Sequence, residues 1–184
     1  HPEVDFFGVE PAVKPAAALS QTKRVGVMAT PATLGSDKFL QLLQSLQGNT
    51  EFVLQGCEGL ADAIEQQCQE GGDAPVQALC QKYVHAMGVF GNQPGEIDTL
   101  VLGCTHYPFA LPVLRALVGD QVTILETGLP VARQVKKVLA ERGLLAVVDM
   151  SAGSSSGEVG KLTLLATGDA QSLHRAASMW LPSR

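Results

Sequence analysis

A cysteine and a histidine stand two residues apart where an apolar segment of this sequence ends. Residues 99–102 form a short apolar run that predicts a strand, and Gly103, Cys104, Thr105 and His106 follow it directly. A helix is predicted to begin shortly afterwards. Open α/β sheets bind ligands at the carboxyl ends of their strands, and backbone dipoles at a helix N-terminus favour a thiolate over a thiol. This position favours a functional role for Cys104.

Cys104 could instead be a small buried hydrophobic residue, which is the commonest role of a free cysteine. Its neighbours favour chemistry, because Gly103 permits close backbone approach, Thr105 offers a hydroxyl and His106 exchanges protons near neutral pH. Cys104 and His106 could form a nucleophile and its base. Such pairs usually come from separate segments, so His106 could instead orient or protonate a ligand.

Two threonines follow a second predicted strand, at residues 24–29. Thr30 and Thr33 lie just beyond its end, and hydroxyls with adjacent amides suit a carboxylate or a phosphate. The simpler interpretation, which the residues alone favour, is a plain helix cap formed by Thr33 or Ser36.

Three further polar residues fall within predicted helices. Glu65 lies on a helix whose other face is apolar, and taken alone it is an ordinary surface carboxylate. His85 and His174 are interpreted as structural or surface residues. None of the three predicts a site without further information.

The composition limits the classes of protein to which the chain can belong. Of its 184 residues, 46% are hydrophobic and 17% are charged, with a net charge of −5. These values predict a globular protein with a substantial core rather than a disordered one. We expect no nucleic-acid partner, because no cluster of lysine and arginine occurs. No apolar run approaches the roughly 18 residues of a membrane span, so no membrane association is expected.

Cysteine and glycine spacing gives no sign of a metal or a nucleotide. None of the four cysteines (Cys57, Cys68, Cys80 and Cys104) forms a C-x-x-C pair, so neither zinc nor a disulfide framework is expected. Reduced thiols in a cytoplasm are the simplest interpretation. The glycine-rich turns match neither dinucleotide-binding nor phosphate-loop motifs. We therefore expect no metal and no cofactor.

Strand and helix patterns alternate along almost the whole chain, which predicts an α/β architecture with a mostly parallel sheet. Strands are predicted at 4–9, 24–29, 52–54, 99–102, 122–125 and 161–166. Helices are predicted at 11–19, 36–46, 59–68, 74–89, 110–118, 129–139 and 170–180, with a flexible loop at 151–160.

The segment 102–108, Leu-Gly-Cys-Thr-His-Tyr-Pro, resembles the second catalytic-cysteine motif of bacterial glutamate racemases. Further segments resemble that family in the correct order, at 8–16, 25–33 (its T-x-x-T loop), 56–65 and 164–169. The resemblance covers essentially the whole chain and implies a flavodoxin-like fold. Members of the family invert glutamate at Cα without a cofactor and supply D-glutamate for peptidoglycan. One cysteine thiolate removes the proton, and a second cysteine returns one on the other face.

The resemblance assigns a role to each candidate residue. Cys104 would be one of the two bases, while Thr105 and His106 would contact the substrate or assist the thiol. Thr33, with Thr30 in the same loop, would bind the carboxylate or amine of glutamate. Glu65 would orient or tune His106, although the stretch between Glu65 and Cys104 is longer than is typical.

One departure from the family pattern concerns the other cysteine, which the family carries in a C-N-T motif in its first half. No such motif occurs here, and Cys57, Cys68 and Cys80 lie outside any comparable one. We therefore expect an N-terminally truncated racemase. Residues 1–11 would lead in from a missing part, 12–127 would form a complete domain carrying Cys104, and 128–184 would complete part of another domain.

Three expectations follow for behaviour. The chain should be impaired in racemisation, and it should self-associate, as a homodimer for instance, or require the missing half, because the sheet around 161–166 would have unpaired edges. The alternatives are a non-catalytic binding or regulatory protein and a racemase that acts on aspartate.

Overall fold

Four parallel strands form the centre of the molecule. The computed structural model describes residues 5–46, 48, 50–70, 72–145 and 162–181, with the backbone alone at 68–70. The strands are β1 (Arg24–Ala29), β2 (Glu51–Gly56), β3 (Thr99–Leu102) and β4 (Thr123–Leu125), in the order β2-β1-β3-β4. All three pairings are parallel. The predicted α/β architecture with a parallel sheet is confirmed.

Helices cover both faces of this sheet. They are α1 (Val13–Leu19), α2 (Pro31–Leu34), α3 (Asp37–Ser45), α4 (Leu60–Glu70), α5 (Ala74–Met87), α6 (Leu111–Val118), α7 (Gly128–Glu141) and α8 (Ala170–Trp180). A 3-10 turn at Tyr107–Ala110 precedes α6. Most helix ends lie within a residue or two of their predicted positions.

The two central strands are buried on both faces. In β1, Val25 and Val27 face one apolar cluster, which α1 and α3 complete, while Met28 faces the larger cluster beneath α4, α5 and α6. In β3, Leu100 and Leu102 join the larger cluster and Val101 the smaller one. This alternation follows from the two-residue period of a strand. Continuous apolar runs such as these are typical of strands covered on both faces.

The strand order creates a crevice beside β1 and β3. From β1 the chain moves to β2 on one side, and from β3 it moves to β4 on the other, which makes the β1–β3 boundary the switch point where open α/β sheets bind ligands. Met28 pairs with Leu102 in the sheet register. Thr30 and Cys104 therefore each lie two residues beyond the same rung, at the same edge of the sheet.

Two predicted strands were wrong. The first was predicted at 4–9, and its described residues, 5–9, form no strand. The second was predicted at 161–166, and its described residues, 162–166, form none either, with Leu165 86% exposed. An alternating apolar pattern does not make a strand unless a neighbouring strand accepts its hydrogen bonds. Neither segment pairs with the edges of the described sheet, which β2 and β4 occupy. The predicted loop at 151–160 lies outside the described residues.

The predicted division at residues 12–127 and 128–184 stays a prediction, although all four strands fall within the first range. Across the described part of the chain, the helices lack the combination of length and apolar character that spanning a bilayer requires.

Candidate active site

The chain passes very close to β1 before it reaches Cys104, and Gly103 makes this possible. The Gly103 amide donates to the Met28 carbonyl at 2.7 Å. A Cβ at Gly103 would lie 3.0 Å from the Ala29 Cβ and 3.1 Å from both the Met28 oxygen and the Pro11 Cγ. Only glycine fits this contact without a shift of its neighbours. This close contact at Gly103 thus fixes the position of Cys104 relative to the end of β1.

A tight turn then holds Cys104 and His106 together. The Tyr107 amide donates to the Cys104 carbonyl at 3.2 Å, and the Phe109 amide donates to the His106 carbonyl at 3.0 Å. Cys104 is half-buried and Thr105 is exposed. The 3-10 turn at 107–110, rather than the predicted start of an α-helix, forms the end of this loop.

Cys104, His106 and Glu65 form a line of three functional groups. The Cys104 Sγ lies 3.7 Å from the His106 Nδ1, and the His106 Nε2 lies 2.7 Å from the Glu65 Oε1. With a proton on Nε2, the imidazole donates to the carboxylate and turns the free electron pair of Nδ1 towards the thiol. The arrangement can accept a proton from the thiol and return it. The family resemblance predicted that Glu65 lies beside His106, and the structure brings the two side chains together. Their residue types and spacing alone did not predict this contact.

The threonines stand at the end of β1, across the crevice from Cys104. Thr30 caps α2, since its Oγ1 accepts from the Thr33 amide at 3.2 Å and lies 3.0 Å from the Thr33 Oγ1. Ser36 caps α3 through the Phe39 amide, as predicted. Thr33 was the wrong candidate for a cap, because Pro31 at the first helical position starts a helix earlier than expected. Substrate binding by Thr30, Thr33 and Thr105 stays a prediction.

The other thiols whose side chains the structure describes are buried. Burial raises the pKa of Cys57 to about 12 and that of Cys80 to about 11, so both remain protonated at neutral pH. Cys57 nevertheless lies at the end of β2, where its amide donates to the Ala29 carbonyl at 2.9 Å. Cys104 is the accessible thiol among these three.

Helix α8 lies beside the imidazole and the carboxylate, which the sequence did not indicate. A groove of about 360 Å³ separates Glu65 and His106 from Leu173 of α8, and the rings of Phe109 and Trp180 lie 4.4 Å apart at its side. The apolar period of residues 170–180 predicted a helix, but such a period says nothing about which surface the helix covers. Within the described residues, no group of three or more His, Cys, Asp or Glu side chains is arranged to hold a metal ion.

Comparison with known proteins finds similarity to glutamate racemases. No family model matches the chain. It is 41% identical to a glutamate racemase of Ectopseudomonas mendocina over 165 residues, which cover 88% of this chain and 60% of that protein. It is 45% identical to the glutamate racemase of Cupriavidus pinatubonensis over 141 residues, or 77% of this chain and 49% of that protein.

Solved structures agree at the level of the fold. A glutamate racemase isoform from Bacillus anthracis matches 91% of this chain with a TM-score of 0.67 and 24% identity, over 57% of its own length. The enzyme from Escherichia coli, in complex with L-glutamate and an activator, matches 76% of this chain and 51% of its own, with a TM-score of 0.61 and 23% identity. The flavodoxin-like fold is thus confirmed.

The chain spans about half the length of the curated relatives it matches. Identities of 40–45% extend over 77–88% of this chain. Over the part it shares with them, the chain is similar in sequence to the glutamate racemases.

Proposed function

We propose that Cys104 is one of the two proton-transfer groups in the racemisation of glutamate. The observation that carries this proposal is the line from the Cys104 thiol through His106 to Glu65 at the carboxyl end of β3. The choice of glutamate rather than aspartate rests on the names of the relatives and on two solved racemases, one holding L-glutamate and the other D-glutamate. In a bacterial cytoplasm the product would serve peptidoglycan synthesis.

The chemistry needs a base on one face of Cα. The Cys104 thiolate removes the Cα proton, so that the Cα–H bond breaks, an S–H bond forms and the electron pair passes into the substrate carboxylate group. His106 holds the proton that the thiol released beforehand, and Glu65 keeps the imidazole oriented. The hydroxyls of Thr30, Thr33 and Thr105 would bind the carboxylate and amine of glutamate.

Inversion also needs a proton donor on the opposite face. Cys57 and Cys80 are buried, so neither side chain meets a substrate, and among the thiols whose side chains the structure describes only Cys104 is accessible. We therefore infer that the described residues supply one of the two proton-transfer groups. A thiol outside them would supply the other.

Isotope exchange tests this function directly. The purified chain is incubated in D₂O with L-glutamate and, separately, with D-glutamate. We expect deuterium at Cα of one enantiomer and no inversion, because a single base reaches a single face. Mass spectrometry measures the deuterium, and a chiral assay measures the inversion.

Controls separate the alternatives. Cys104→Ala should abolish exchange while glutamate still binds. Binding without exchange by the unaltered chain would favour a non-catalytic binding protein, and faster exchange with aspartate would reassign the substrate. Rapid inversion by this chain alone would refute the one-base proposal.

A further inference from the structure

Two tyrosine hydroxyls hold successive carbonyls of the loop between β2 and α4. The Tyr107 hydroxyl donates to the Cys57 carbonyl at 3.2 Å, and the Tyr83 hydroxyl donates to the Glu58 carbonyl at 2.6 Å. Both side chains are buried. This loop leads directly into α4, the helix that carries Glu65. Both hydrogen bonds hold this loop, but only the one from Tyr107 comes from the segment that carries His106.

Tyr107 differs from Tyr83 because it follows His106 directly in the chain. Its amide closes the turn by donating to the Cys104 carbonyl, while its hydroxyl reaches the β2–α4 loop. Tyr83 belongs to α5 and makes no such connection to the turn. Tyr107 thus joins the segment that carries the thiol and the imidazole to the segment that carries the carboxylate.

The surroundings of Tyr107 keep its hydroxyl protonated, so that it can donate this hydrogen bond. The side chain is fully buried, and burial raises the pKa of its hydroxyl, so the group remains a donor across the working pH range. The Cys57 residue that accepts the bond is itself tied to the end of β1 through its amide. The bond from Tyr107 therefore connects the loops at the ends of β1, β2 and β3.

The contact between His106 and Glu65 needs such support. The Glu65 side chain is 61% exposed and that of His106 is 33% exposed, so water competes for the carboxylate and the pair contributes little to its own geometry. We propose that Tyr107 is a positioning residue, whose hydroxyl sets the distance between the His106 ring and the Glu65 carboxylate. This inference rests on the proposed function of the same site.

The matched variants Tyr107→Phe and Tyr83→Phe test the proposal, because each removes one buried hydroxyl from one carbonyl of the same loop. The spectroscopic signature is the downfield imidazole N–H proton of His106, identified by its loss in Glu65→Ala, which removes the acceptor. We expect Tyr107→Phe to shift this proton upfield and to speed its exchange with water. Tyr83→Phe should leave it unchanged.

Two reaction rates provide a second test of the proposal. The first is alkylation at Cys104, followed by mass spectrometry of its peptide, which needs no substrate. Tyr107→Phe should change it as Glu65→Gln does, and the double variant should show no further change. The second is Cα exchange, for which Tyr107→Phe should lower kcat about tenfold with little change in KM, as expected for a small misplacement of a catalytic group.

Equal effects of the two Phe variants on the imidazole signal, or no effect of Tyr107→Phe, would overturn the proposal. Additive effects of Tyr107→Phe and Glu65→Gln on alkylation would do the same. The signal and the alkylation rate are measured without turnover. Absence of Cα exchange in the unaltered chain would refute the proposed function while leaving the test of Tyr107 intact.

Discussion

The role proposed for Glu65 lies in the chemistry of the site, and its contribution to stability is small. Exposed ion pairs typically contribute between zero and about 1 kcal/mol, and this carboxylate is more than half exposed. Its contact with the His106 Nε2 nevertheless decides which ring nitrogen faces Cys104. The consequence of the contact is orientation, because an imidazole held at one nitrogen presents the other in a fixed direction.

Glu65→Gln should therefore impair exchange and spare the fold. A glutamine oxygen still accepts from Nε2, but it carries no charge to stabilise the protonated ring that forms when the thiol ionises. We expect Cα exchange to fall by roughly 10- to 100-fold, with Tm shifted by less than about 3 °C. Exchange is measured by mass spectrometry and Tm by circular dichroism.

Glu51→Gln is the matched control. Glu51 forms a similar exposed pair with Arg24, at 3.2 Å, but at the amino end of the sheet. It should change neither rate nor Tm appreciably. If both glutamine variants lowered exchange equally, the effect would be one of overall charge and the role given to Glu65 would be refuted.

At this scale, the sequence indicates Cys104 and His106 because they share one short loop after a recognisable strand. It does not pair either of them with Glu65, which lies 41 residues before His106. Proximity across such a separation depends on how α4 packs, and residue types and spacing do not encode that packing directly. The family resemblance supplied this pair, and the geometry gives it a physical basis.

Among the elements, β1 and β3 are aligned by a buried carboxylate at their amino ends. Asp98, just before β3, accepts from the Ser20 hydroxyl and the Gln21 amide at 2.6 Å, from the Thr22 amide at 2.9 Å and from the Thr99 hydroxyl at 3.0 Å. Burial alone would raise the pKa of Asp98, but these hydrogen bonds outweigh it and hold the pKa below its usual value. The carboxylate joins the turn before β1 to the start of β3.

Asp98→Asn should destabilise the protein in a pH-dependent manner. Because the folded pKa is depressed, the stabilisation is complete above the unfolded pKa of about 3.9 and is lost as the pH falls through the folded pKa. At pH 7 the variant should lose about 2–4 kcal/mol, since an amide leaves buried donors unsatisfied. Urea unfolding at pH 7 and pH 3 should show the gap between the two proteins narrowing at low pH.

Asp169→Asn provides the comparison. Asp169 caps α8 by accepting from the Gln171 and Ser172 amides, and asparagine is an equally good cap. Its replacement should leave the unfolding curve at pH 7 almost unchanged. A loss at Asp98 that stayed constant down to pH 3 would show that packing, rather than charge, supports the alignment.

The strands that could be predicted from the sequence are those whose apolar residues are buried on both faces of the sheet. The run 24–29 is apolar throughout because helices cover both faces of β1. Residues 5–9 and 162–166 have similar apolar content but no adjacent strand within the described chain. Whether such a segment forms a strand depends on a neighbouring strand that can pair with it, and a short segment does not specify that partner.

In the whole molecule, burial is uneven along the chain. The four strands and most of the core lie within residues 12–127. Helix α7 is amphipathic but has no buried residue, and large apolar side chains around and beyond it are exposed, namely Leu129, Leu144, Leu145, Leu162 and Leu165. Exposed apolar groups of this kind are typical of surfaces that associate.

The chain should therefore self-associate through this C-terminal part. We expect the mean mass from light scattering to rise with concentration between about 1 and 100 µM, and to rise further in sulfate, which strengthens apolar association. The triple variant Leu129→Ser, Leu144→Ser, Leu165→Ser should reduce association, because it removes exposed side chains without opening the core.

Serine at Leu19 and Leu40, which are also exposed but lie on α1 and α3, should have little effect. A monomer at every concentration would show that the exposed leucines form no associating surface. Equal relief by both sets of serines would place the contact elsewhere on the molecule.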